Sequence, residues 1–210
     1  MTILGIESLR FRVDDMALMM RFFDDLGLLR ALGETADEVR YALAEGSSVL
    51  LQKATASNAS GTLGNQYGPQ ELIWGVDDTR ALDAIGNDLA KDRAVSHAND
   101  DTLHTRDDGG IPIGFKLYNR QAPKDAEQGE NGLNSIQRWN RLRKWYDHAR
   151  PQVLHHTVWG VPNVDEAVAF YVKRLDFRVT DMIRNVGVFM RCDGRPDHHN
   201  LFLHRGQKPF

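Results

Sequence analysis

The chain has 210 residues, 41% hydrophobic and 26% charged, which is ordinary globular usage with length enough for a sizeable core. Its formal net charge of −3 gives no bulk attraction for nucleic acid or anionic lipid, and no run approaches the roughly 18 apolar residues of a membrane span. A single cysteine, Cys192, excludes an internal disulfide and a cysteine-only metal site. Charges at Glu7, Arg10 and Arg12 interrupt any signal-peptide core, so a protein of the reducing cytoplasm is expected.

Taken in order, the chain repeats one pattern three times: an alternating strand, a valine, a polar cap, then an amphipathic helix. The first copy runs from Leu9 to Val13, is capped by Asp14 and Asp15, and predicts a helix over 16–26. Strand candidates follow at 39–43 and 48–52, split by Glu45 and Gly46. The second copy runs from Leu72 to Val76, is capped by Asp77 and Asp78, and predicts a helix over 79–90. Its strands are expected at 94–97, 102–106 and 113–118, with Gly109 and Gly110 in a hairpin turn.

The third copy runs from Thr157 to Val161, with Pro162 and Asn163 before a helix over 164–175 and strands at 177–181, 186–191 and 200–204. Phe22 and Phe23, like Phe170 and Tyr171, lie nine and ten residues after their valine, so they occupy matching helix faces. One helix with about four strands reads as an α+β chain of βαβββ units, three in number. The expected division is 1–120 as an N-terminal domain of two units, 121–152 as a linker, and 153–210 as the start of a second domain. Within the linker, Trp139, Leu142 and Trp145 fall at helix spacing. They read as a packing face with the arginines solvated, in preference to an RNA-stacking surface.

Eight histidines are present. His97, His104 and His148 lie in polar surroundings and read as ordinary surface residues. Two pairs stand out, His155–His156 and His198–His199, each beside a strand and about 43 residues apart. Successive strand side chains face opposite ways, so one histidine of each pair can enter a given cavity, and spacing alone does not choose which. Other chemistries lack support: there is no phosphate-binding glycine loop and no Gly-x-Ser-x-Gly turn. Asp77 with Asp78 and Asp107 with Asp108 read as a helix cap and a turn.

The third unit resembles the catalytic half of type I extradiol ring-cleavage dioxygenases, within the vicinal oxygen chelate superfamily that includes glyoxalases and bleomycin-resistance proteins. The resemblance rests on His156 five residues before Val161, the helix through Phe170 and Tyr171, the exit from Leu175 to Asp181, and the run from Phe189 through Arg195 to His198 and His199. The segment from Tyr146 to Pro151 is similar to the connection between domains of such enzymes. The motifs are specific only from about Tyr146 onward.

The resemblance implies a vicinal oxygen chelate fold and assigns His156 as the first histidine ligand of Fe(II), with Mn(II) as an alternative metal. It makes His199 a catalytic acid/base outside the metal's ligand set, and Phe189 a wall of the substrate pocket. Two histidines and one carboxylate on one face of iron leave positions for a catecholate and O₂. The remaining histidine and glutamate ligands belong to a fourth unit in the family. Ser8 and Glu71 stand at the positions matching His156, and Tyr118 where the carboxylate would fall.

The expectation is therefore a catechol-cleaving dioxygenase lacking about a hundred residues of its last unit, with no tightly bound metal in this chain. Its partners are a small aromatic diol and O₂, in a homo-oligomer with no nucleic acid or membrane. The rival readings are a metal-free aromatic-binding protein and a glyoxalase-like lyase or isomerase of the same superfamily.

Overall fold

The pairing of two long strands organises the first half of the chain. In the computed structural model, which describes residues 2–31, 33–55, 67–121, 150–192 and 197–206, β1 (Ile3–Val13) lies antiparallel to β5 (Gly68–Val76). Each of these strands also pairs in parallel with the last strand of its own unit. β1 takes β4 (Ser48–Lys53), and β5 takes β8 (Pro112–Leu117). With β2 (Leu29–Arg30), β3 (Glu38–Ala42), β6 (Ser96–His97) and β7 (Leu103–Arg106), they form an eight-stranded sheet in the order β2-β3-β4-β1-β5-β8-β7-β6. The third unit gives a separate four-stranded sheet, β10-β11-β12-β9, from β9 (Thr157–Val161), β10 (Arg178–Ile183), β11 (Gly187–Arg191) and β12 (Leu201–Arg205).

Three helices, α1 (Met16–Asp25), α2 (Thr79–Leu89) and α3 (Val164–Leu175), follow the first strand of each unit, where the sequence places them. Each start is fixed by its cap. Asp15 accepts from Leu18 N at 2.9 Å, Asp78 from Ala81 N at 2.7 Å and Asn163 from Glu166 N at 3.2 Å. At its far end α3 stops on Asp176, which takes the left-handed conformation at φ 57°.

Sequence and structure differ at β1, which begins at Ile3 instead of Leu9. Its early half carries register irregularities against β5 between Ile3 and Gly5 and between Ile6 and Ser8, which break the period of two that marks a strand. The edge strand β2 has only two residues, both exposed, and so carries no alternation to read. Trp139, Leu142 and Trp145 lie outside the described residues.

Two apolar cores result. Val13, Phe23, Val39, Tyr41 and Leu51 pack under α1. A larger core is shared by the second and third units. It joins Trp74 and Phe115 of the first sheet, Ile85 and Leu89 of α2, Phe170 and Leu175 of α3, and Trp159 and Leu203 of the second sheet. Trp74 meets Phe177 edge-on at 5.0 Å, and the guanidinium of Arg93 lies 4.8 Å from the centre of the Phe170 ring.

Arg174 of α3 also reaches Asp88 at 2.6 Å and Asp92 at 2.8 Å. Those charges are partly exposed, where a pair contributes about 0–1 kcal/mol, whereas each fully buried large apolar side chain contributes about 1.5–3 kcal/mol. Apolar burial therefore dominates the contact between the units.

A buried carboxyl also sits in that contact. Asp107, 4% exposed, accepts from Ile111 N at 2.8 Å and from the Tyr171 hydroxyl of α3 at 3.3 Å. Burial pushes its carboxyl up to about 6 despite these bonds. A carboxyl raised in the folded state gives stability that is full below its unfolded value and is lost as pH rises through about 6. The unfolding free energy of wild type relative to Asp107→Asn should accordingly fall by roughly 2–3 kcal/mol between about pH 4 and about pH 8. Denaturant titrations at a series of pH values measure it, and a difference independent of pH contradicts this account.

Candidate active site

In the third unit β12 lies parallel to β9, with Leu201 opposite Thr157 and Phe202 opposite Val158. The residues just before the two strands are therefore neighbours: His156 falls beside Asn200, with His155 and His199 one residue further back. Trp159 and Val161 are buried in the shared core, which turns the alternate residues, Val158 and Gly160, to the opposite face. His156 precedes that alternation on the same side, and its ring centre is 4.8 Å from that of His199.

The other two histidines have acidic neighbours of their own, although His198 also touches the site, its Nδ1 3.0 Å from His199 Nδ1 and its ring 5.6 Å from that of Phe189. His155 Nε2 lies 3.2 Å from Asp197, and His198 Nε2 lies 3.9 Å from Asp181. The structure thus brings His156 and His199 together, a choice that strand spacing leaves open.

Phe189 of β11 stands beside them. It stacks on Phe202 at 4.2 Å with the planes 24° apart and meets His199 at 4.9 Å. The cause is register: β11 pairs antiparallel with β12, setting Phe189 directly opposite Phe202. His204 stacks in turn on Phe202 at 6.3 Å. The result is an aromatic surface flanked by two imidazoles.

Asn200 holds the two histidine segments in place. It is 1% exposed, and its side-chain amide donates to the His155 carbonyl at 3.3 Å. Its amide oxygen accepts from Cys192 N at 3.2 Å and from Cys192 Sγ at 3.1 Å, while its backbone carbonyl accepts from Thr157 N at 2.9 Å. Sequence reasoning passed over Asn200, although a lone amide at the start of an apolar strand is the signal that marks it. It also passed over Phe202. Cys192 is buried and its thiol is pushed up to about 12 by burial, so it is no nucleophile.

Burial lowers the His199 proton affinity below the usual imidazole range, and the neighbouring His156, His198 and His155 lower it further against a smaller opposing effect of Asp197. At neutral pH His199 is an uncharged base. Its Nδ1 is 3.0 Å from His198 Nδ1, so one of these two rings donates and the other accepts.

As a metal centre the arrangement is incomplete. Among the described residues no group of three or more histidine, cysteine, aspartate or glutamate side chains is placed to hold an ion. His156 and His199 bring two imidazoles with no carboxylate gathered to them, and so do not fit a set of two histidines and one carboxylate. Glu71, at the position matching His156, is taken up by Arg10 at 3.1 Å and His104 at 2.6 Å. Tyr118 is buried near Glu45 and its hydroxyl is held well above the usual range, which makes it a poor ligand.

No family model and no curated protein matches the chain. Solved structures do. An Mn(II)-bound glyoxalase from Novosphingobium aromaticivorans is 18% identical with a TM-score of 0.71, covering 99% of this chain and 63% of its own. The 2,3-dioxygenase LapB from Pseudomonas sp. KL28 is 16% identical with a TM-score of 0.70, covering 99% of this chain and 72% of its own. An extradiol ring-cleaving dioxygenase from B. fuscum is 18% identical with a TM-score of 0.71, covering 98% of this chain and 54% of its own. The chain spans less than two thirds of the glyoxalase and about half of the B. fuscum enzyme. At such identities the shared property is architecture: this chain carries the vicinal oxygen chelate fold, built from repeated βαβββ units.

Proposed function

We propose that this chain is the larger part of an extradiol-type dioxygenase that cleaves a catechol-like ring with Fe(II) and O₂. The observation that carries this reading is the pairing of His156 with His199 beside the Phe189–Phe202 stack, on the exposed face of the third unit. Phe189 and Phe202 offer a flat apolar surface to an aromatic ring. Neutral His199 is placed to take a proton from a ring hydroxyl and to return it later. His156 is the one metal ligand assigned within the described residues, and Mn(II) is an alternative ion. Cys192 as a free thiol suits the reducing cytoplasm.

The other ligands are proposed to come from a further βαβββ unit beside β9. β9 is an edge of its sheet, whereas its counterparts β1 and β5 pair with each other. A unit supplied by a longer polypeptide, or a second copy of this chain in a homo-oligomer, would cover that edge. On this reading 1–120 forms the N-terminal domain, 121–152 the linker, and 153–210 the start of the catalytic domain. A glyoxalase-like lyase or isomerase is the second reading, because the glyoxalase and the B. fuscum dioxygenase share a TM-score of 0.71.

Metal analysis after dialysis against Fe(II) should find well below one iron per chain for these 210 residues alone. Stoichiometric iron held by His156 and two other residues of the chain would overturn the ligand assignment. With the further unit present, His199→Gln should lower catechol turnover by roughly 10²–10⁴ while iron content holds. His156→Ala should lose both. Iron-independent retention of catechol without O₂ uptake would favour a metal-free binding protein, and turnover of a hemithioacetal without O₂ would favour the lyase.

A further inference from the structure

The first sheet has a polar face of its own. Counting from the parallel pairs, β5 with β8 matches β9 with β12: Leu72 stands opposite Ile113 as Thr157 stands opposite Leu201. Glu71 therefore occupies the place of His156. His104, opposite Gly114, occupies the place of Phe189, which is opposite Phe202.

At these positions the third unit has an imidazole and an aromatic stack, and the second unit has an ion pair. Glu71 is held by His104 Nδ1 at 2.6 Å and by Arg10 of β1 at 3.1 Å. Gly114 stands where the third unit has Phe202. The position is closely packed: a Cβ there would sit 2.9 Å from the Leu103 carbonyl oxygen, 3.2 Å from Ile73 and 3.4 Å from the Glu71 carboxylate.

Two residues beyond Arg10, on the same face of β1, lies Arg12. It is 4% exposed, and its Nε and Nη1 have no hydrogen-bond partner; Arg10 Nε has none either. A guanidinium cannot shed its charge at any ordinary pH, so burial without a partner is strongly unfavourable. The two oxygens of Glu71 are engaged by Arg10 and His104. Gly68 lies opposite Arg12 on β5, and a Cβ there would meet nothing within 4 Å, leaving room beside it. Leu50, opposite Arg10 on β4, and Ile73 supply apolar surface on the same side.

We propose that this face of the first sheet is a second ligand site, taking a small organic carboxylate whose oxygens pair with the unsatisfied nitrogens of Arg12 and Arg10. The planar guanidinium fork suits a planar carboxylate, and Leu50 with Ile73 suits an apolar body. The site lies in the first two units and involves neither His156 nor His199.

Calorimetric titration of the whole chain with benzoate, and separately with inorganic phosphate, tests it. Benzoate should bind saturably and more tightly than phosphate. Arg12→Met should weaken it at least about tenfold while melting no lower than wild type, because an unpaired buried charge has been removed. Arg12→Lys, which keeps charge but loses the fork, should weaken benzoate and remain folded. His156→Ala should leave this binding unchanged, which separates it from the third-unit site. No saturable binding, unchanged affinity in both Arg12 variants, tighter binding of phosphate, or loss of binding in His156→Ala each overturns the proposal.

Discussion

The arrangement depends on one constraint: in every unit the last strand returns parallel to the first. A βαβββ unit that closes this way brings the residues preceding its first and last strands side by side, whatever they are. In the third unit these are His156 and Asn200, and the ring of the next residue back, His199, lies 4.8 Å from that of His156. The antiparallel neighbour of the last strand then sets a third residue over them, which is Phe189 in the third unit, His104 in the second and Arg40 in the first. One register thus presents an aromatic and histidine site in one place and a salt-bridged polar face in another. The chemistry changes by substitution while the backbone pattern is kept.

What holds the third unit against the second is mainly apolar, with Trp74, Phe177 and Phe170 at the contact. Placement of the histidines is more polar. Buried Glu45 accepts from Leu154 N at 3.0 Å, from Ser47 at 2.9 Å and from Arg120 at 3.1 Å, so the segment leading to His155 and His156 is tied to the first unit. A buried carboxylate satisfied on all sides is rigid, and removal of one partner is costly. Asn200 completes the fixation from the other segment. Glu45 and Asn200 act on the site through backbone, at a distance from the imidazoles themselves.

Much of the fold was legible in the sequence because it rests on local signals. The caps at Asp15, Asp78 and Asn163 and the helical periodicity behind them locate α1, α2 and α3 to within a residue or two. What escaped lies where periodicity is broken, as in the irregular first half of β1, or depends on pairing across the chain. No local signal states that His104 meets Glu71, 33 residues away, or that Asn200 reaches back to His155. The same limit left the choice between His155 and His156 open until the positions of the rings decided it. The likeness to extradiol enzymes pointed at His156, His199 and Phe189, and the structure gathers those three; what they do there is the proposal.

The central claim is that parallel return of β12 to β9 makes His156 and His199 act on each other. Titration of individual histidine rings by NMR, in wild type and in His156→Ala, tests it most directly. His199 should titrate below the ordinary imidazole range in wild type, because of burial first and His156 next, and should rise when His156 is removed. A His199 that titrates at the same pH with and without His156 would contradict the account.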